Sequence, residues 1–154
     1  MPNQPIGFQH GITLNQARQV VDAALAEGRR LGLAPLTVVV LDAAGQLKAM
    51  LKEDGCSLLR PAIAQGKAFG AMGLGFGGRE LARRAQAMQG FMNAFSDLAG
   101  GSAVPVPGGV LVRSSDGTIF GAVGVSGDAS DKDELAAVAG IEAAGLVADT
   151  GDSA

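Results

Sequence analysis

GGVLVRSSDGTIFGAVGVSGDASDKDE, residues 108–134, reads as a strand, a tight turn, a longer return strand and the polar start of a helix. Val110 to Arg113 is the first strand. Ser114-Ser115-Asp116-Gly117 carries turn chemistry, with a glycine able to take positive φ, and Thr118 to Val125 is the return. Strict alternation places Ile119, Gly121, Val123 and Val125 on one face and Phe120, Ala122 and Gly124 on the other. Two glycines inside one strand weaken it, and they mark a bulge or the close approach of a ligand or another backbone. Ser126-Gly127-Asp128 leaves the strand. Ser130 or Asp131 is placed to cap the next helix, with Asp131 and Glu134 at capping-box spacing.

Working toward the amino terminus, Thr13 and Gln16 make a capping box. Ala17, Val20, Val21, Ala24 and Leu31 recur at helical spacing until Gly32 and Pro35 stop the run. Leu36 to Leu41 is a continuous apolar strand, which implies burial on both faces, and Asp42 to Gly45 turns it into Gln46 to Lys52. There Leu47, Ala49 and Leu51 share one face, and the other meets solvent or a partner. Ser57 to Met72 reads as a helix rich in small residues, with Pro61 tolerated in its first turn. Arg79 to Met88 and Phe91 to Leu98 are shorter helical runs, Asp131 to Ala148 is the closing helix, and residues 150–154 and 1–11 are flexible tails. Hairpins replace parallel crossovers throughout. The expectation is one α+β domain over residues 1–154 with an antiparallel sheet.

Gln65 to Ala71 (QGKAFGA), Gly108 to Arg113 (GGVLVR), Gly121 to Asp128 (GAVGVSGD) and the Asp133-Glu134 pair followed by Ala139 to Ile141 (AGI) stand in one order and spacing. ITLNQA at Ile12 to Ala17 and VVVLDAAGQL at Val38 to Leu47 complete the pattern, which covers most of the chain. In these residues the chain resembles the GlcG/HbpS-like proteins, which include the carboxy-terminal domain of PduO-type proteins and a secreted heme-binding sensor protein. The resemblance implies a five-stranded, profilin-like sheet flanked by helices, with residues near Val104 to Val106 as a short extra strand. It also implies a homo-oligomer and a heme-binding candidate, although the family holds many members of unassigned role.

Composition excludes several classes. The lone Cys56 cannot form an internal disulfide, no His/Cys cluster suggests a metal centre, and no apolar run approaches the ~18 residues of a membrane span. The start, MPNQPIGFQHGITL, has no signal-peptide pattern, so cytoplasmic location is the expectation. From Asp116 onward eight acids face one base, Lys132, whereas Arg60 to Arg84 holds five bases against Glu80. With Trp and Tyr absent, that asymmetry points to self-association or a local anion site and away from nucleic acid. The stretch Gly73 to Gly78 matches G-x-G-x-x-G literally, but it follows a helix instead of a strand and therefore reads as a connection between helices.

Two classes of function stay open on these residues. One is a small-molecule-binding protein whose ligand, heme or another partly apolar anion, lies where Gly121, Gly124, Ser126, Gly127 and Asp128 meet the Lys67 helix, with Phe91 or Phe95 as an apolar wall. His10, the only histidine, is then the candidate heme ligand, with Cys56 or a methionine in reserve. The other is a metal-independent isomerase or lyase moving a proton on an oxygenated carboxylate, with Lys67 and either Asp128 or Glu134 as acid and base. Lys67 either extends its head to water or, if desolvated, anchors an anion or carries a proton. On either functional reading Lys67→Met costs ligand affinity or turnover and little stability.

Overall fold

The computed structural model describes residues 11–152. Helix α1 (Leu14–Arg30) is followed by the hairpin β1 (Thr37–Leu41) and β2 (Leu47–Lys52). Helices α2 (Arg60–Leu74), α3 (Gly78–Ala87) and α4 (Gln89–Leu98) lead to the hairpin β3 (Gly109–Arg113) and β4 (Ile119–Ser126), then α5 (Ser130–Ala143) and β5 (Val147–Asp149). The five strands form one antiparallel sheet in the order β2-β1-β4-β3-β5. The α+β class, the five strands and the antiparallel pairing are as expected.

The sheet is covered on both faces. Val38, Val40, Val110, Val112, Val123 and Val125 pack against Ala17, Val20 and Ala24 of α1 and Ala136, Ala137 and Ile141 of α5. On the opposite face Val39, Leu41, Leu111 and Ala122 meet Ala64, Ala68 and Ala71 of α2. Every residue of β1 is buried, as its unbroken apolar run requires. The capping box at α1 forms as read, Thr13 and Gln16 each satisfying the other's backbone N–H, worth about 1 kcal/mol.

Both hairpins carry a bulge beside their turn, and the bulges overturn the simple alternation. In β4, Val112 pairs with Gly121 but Arg113 pairs with Ile119, so one residue of β4 is extra. A one-residue slip exchanges faces. Phe120 therefore joins Val123 and Val125 against α1 and α5, while Ile119 joins Ala122 under α2. Likewise Leu41 pairs with Leu47 and Val40 with Ala49, which moves Leu47 off the face that Ala49 shares with the α1 core.

The closing segment also differs from the expectation. Gly145, at φ 76°, ends α5: its N–H donates to the Glu142 carbonyl and the Leu146 N–H donates to the Ile141 carbonyl, a Schellman cap. The chain then turns back, and Val147–Asp149 becomes the fifth strand on β3. Val104 to Val106 is not a strand; the Val104 N–H donates to the Gly66 carbonyl of α2 instead. Residues 150–152, read as tail, carry hydrogen bonds to α3: the Arg79 N–H donates to the Thr150 carbonyl, and Arg83 reaches the Asp152 carboxylate. At its start, α5 takes no side-chain cap from Ser130 or Asp131.

Candidate functional site

Lys67 sits on the sheet-facing side of α2, and its side chain runs inward instead of out to solvent. Its ammonium donates to the Val125 carbonyl at 2.9 Å and to Asp133 Oδ2 at 3.0 Å; Lys67 is 2 % exposed and Asp133 is fully buried. Gly108, at φ 103°, keeps this path open, since a Cβ there lies 2.9 Å from the Lys67 nitrogen. The second carboxylate oxygen of Asp133 accepts the Asp128 N–H at 2.8 Å. Burial pushes the Lys67 ammonium below the usual lysine range and the Asp133 carboxyl above the usual carboxylate range, because desolvation disfavours both charges. Their mutual attraction opposes both shifts.

The neighbouring acid, Glu134, makes a parallel tie to another helix. It accepts from Arg79 of α3 at 2.7 and 2.8 Å and is 5 % exposed. The Asp133-Glu134 dipeptide thus fastens α5 to α2 through one residue and to α3 through the next. Asp128 is engaged as well: its carboxylate accepts the Ala34 N–H at 2.8 Å and the Ala129 N–H at 2.7 Å, and these bonds hold it below the usual carboxylate range. Lys67, Asp128 and Glu134, the three residues expected to move protons, each spend their polar atoms on the protein itself.

The glycines are occupied in the same way. Gly109 and Gly124 are register partners, and α2 lies directly on them: a side chain at Gly124 would strike the Ala64 carbonyl, and one at Gly109 the Lys67 carbonyl. Gly121 faces the Leu41 carbonyl and Gly127 the Pro35 carbonyl. The close approach that glycine permits is taken by backbone. Ser126 is fully buried beside this cluster, its hydroxyl accepting from Arg60 Nη1 at 3.2 Å. Lys67 and Ser126 therefore share one side of the domain. Phe95 packs over Gly73, near the C-terminal end of α2, and Phe91 is half exposed on α4. His10 lies outside the described residues.

A groove of about 490 Å³ opens on the other side of α2. Its walls include Gln46 and Leu47 after the β1–β2 turn, Gln65 and Phe69 of α2, and Ser102 and Val104 of the α4–β3 connection. Gly66 lets that connection close against the helix, since a Cβ there lies 2.6 Å from a Val104 methyl. Sequence reading placed none of these residues in a binding site. The available signal was the i, i+3, i+4, i+7 set Ala62, Gln65, Gly66 and Phe69, a face with neither charge nor a full apolar stripe.

A family model described as haem degrading protein HbpS-like matches residues 12–142. The chain belongs to the HbpS-like family. Among solved structures it is similar to the PduOC:heme complex, at 23 % identity and a TM-score of 0.79 over 92 % of this chain and 99 % of that one. It is similar to the Klebsiella pneumoniae protein ORFY, at 24 % identity and a TM-score of 0.77 over 93 % of this chain and 96 % of that one. A double-mutant HbpS from Streptomyces reticuli is 26 % identical, with a TM-score of 0.76 over 92 % of this chain and 95 % of that one. No curated protein matches.

Membership in the HbpS-like family raises heme as a ligand, and the donor set tests it. The groove offers no His, Cys, Met or Tyr to bind iron and no Lys or Arg to pair a propionate. Cys56 is not among its walls, and its sulfur accepts from the Thr37 hydroxyl at 3.6 Å. The residues of the groove do not fit an axially ligated heme. Among the described residues, no cluster of His, Cys, Asp and Glu is arranged to hold a metal, and no helix is long and apolar enough to cross a membrane.

Proposed function

We propose that the protein is a small-molecule-binding member of the HbpS-like family whose partly apolar ligand lies in the groove between the β1–β2 turn, α2 and the α4–β3 connection. The observation that carries this reading is the groove itself. Its volume of about 490 Å³ suits a ligand of drug size, and its walls combine apolar surface with hydrogen-bonding side chains that no described residue engages. Two ties from Lys67, to Asp133 of α5 and to the Val125 carbonyl of β4, fix from behind the helix that forms one wall. The heme complex of PduOC supports a small molecule as the ligand class in this fold. Self-association belongs to the same reading, since β2 is an open edge strand with Leu47, Met50 and Leu51 each close to half exposed.

Native mass spectrometry of the protein purified gently from its own host tests the reading. A stoichiometric adduct is expected, absent from Ala62→Trp, in which an indole fills the groove from an exposed helical position. An adduct retained by Ala62→Trp counts against the groove.

A further inference from the structure

We infer that the groove selects an uncharged ligand, a largely apolar molecule with hydrogen-bonding groups on its edge. This rests on the groove being the ligand site. No residue lining it is charged. Two other surface cavities differ: one has Arg29, Lys52, Glu53 and Asp54 in its lining, another Arg83, Arg113, Asp149 and Asp152. The neutrality of the groove has a structural cause. Ala62, Gln65, Gly66 and Phe69 form the groove face of α2, and Lys67, the helix's one lysine, is turned to the opposite side and held by Asp133 and Val125.

An ionised ligand entering here sheds hydration and meets no counter-charge, a net cost. A neutral one loses only hydrogen bonds that the walls can return. Gln46 and Gln65 each offer a carbonyl acceptor and an NH₂ donor, Ser102 offers a hydroxyl, and none of these side chains is bonded within the described residues. Leu47, Phe69 and Val104 supply the apolar surface for the body of the ligand. A site so built discriminates by charge first and by edge hydrogen bonds second.

Two fluorescent probes with one ring skeleton separate charge from shape: uncharged N-phenyl-1-naphthylamine and anionic 8-anilino-1-naphthalenesulfonate. The uncharged probe is expected to saturate at one site per chain with a dissociation constant at least tenfold below that of the sulfonate. Ala62→Trp should abolish its binding. Gln65→Lys, which adds a cation to the wall, should tighten the sulfonate at least fivefold relative to the uncharged probe. If the sulfonate binds as tightly as the uncharged probe and both are lost in Ala62→Trp, the charge inference is overturned while the groove stands as a site. If Gln65→Lys leaves the sulfonate unchanged, the inference is overturned as well, because the charge of the wall then does not set affinity. Binding of neither probe, or binding of both that ignores Ala62→Trp, overturns the groove as the site and the inference with it.

Discussion

Lys67 Nζ and Asp133 Oδ2 meet 3.0 Å apart in the interior, joining α2 to α5 beside the Val125 carbonyl of β4. A buried pair of this kind adds little over an apolar replacement, but removing one partner strands the other charge, at about 3–5 kcal/mol. Lys67→Met and Asp133→Asn are each expected to lose that much stability in urea unfolding, against the small change that a surface or site lysine would give. The double variant Lys67→Met/Asp133→Asn should lose less than the sum of the two, by about 1–3 kcal/mol, because neither charge remains. Strict additivity would show that the pair does not interact.

The two single variants should respond to pH in opposite senses. Burial raises the Asp133 carboxyl, and without Lys67 it rises further, so the native state binds that proton more tightly than the unfolded chain. Stability of Lys67→Met then falls as pH climbs from the ordinary carboxylate range, and its deficit is smallest in acid. In Asp133→Asn the buried Lys67, already lowered, drops further, and the unfolded chain binds the proton more tightly. Its stability rises with pH until the ordinary lysine range is reached. Unfolding midpoints taken between pH 5 and roughly 9 read both slopes, and parallel slopes would defeat the assignment.

Much of the fold was legible because its signals are local. The Thr13 and Gln16 box, the unbroken β1 run and the turn glycines Gly45 and Gly117 act within a few residues, and each stands where it was read. The register was less legible. Bulges beside both turns exchange the faces of Phe120, Ile119 and Leu47, and alternation alone carries no sign of them. Strand β5 was hidden because a three-residue strand has too little pattern to compete with a helix, though Gly145 was a usable stop signal. At the candidate site, Lys67 stood out by its small neighbours, but its partner Asp133 is far away in sequence and only the fold brings them together.

Strand glycines that accept a helix and helix glycines that accept nothing should differ in sign on substitution. Gly124→Ala drives a methyl into the Ala64 carbonyl and should cost at least about 1–3 kcal/mol, by the ordinary penalty of overpacking. Gly90, in α4, has open space around its Cβ position, so Gly90→Ala should gain about 0.5–1 kcal/mol from lower chain entropy. Thermal melts of the two variants decide this. A neutral Gly124→Ala would mean that α2 stands further from β4.

Hemin, whose propionates are ionised and whose iron finds no ligand among the walls, should not occupy the groove. Spectrophotometric titration is expected to give a broad, weak absorbance change that Ala62→Trp and His10→Ala both leave alone. A sharp, stoichiometric spectrum lost on His10→Ala would place the family's heme chemistry at the amino terminus instead.

The open edge of β2 predicts self-association. A strand of six residues presents unpaired N–H and C=O groups, and beside them Leu47 and Leu51 are each 50 % exposed and Met50 is 42 % exposed. The other edge, β5, has three residues and offers far less. Lys48 and Lys52 punctuate β2, and acids predominate in the carboxy-terminal part of the chain, so opposite charges are available to fix register between copies. Light scattering at micromolar concentration should return a multiple of 15.4 kDa, and Met50→Lys combined with Leu51→Lys should shift it toward the single-chain mass without lowering the unfolding midpoint by more than a few degrees. A wild-type mass of 15.4 kDa would rule out assembly through this edge.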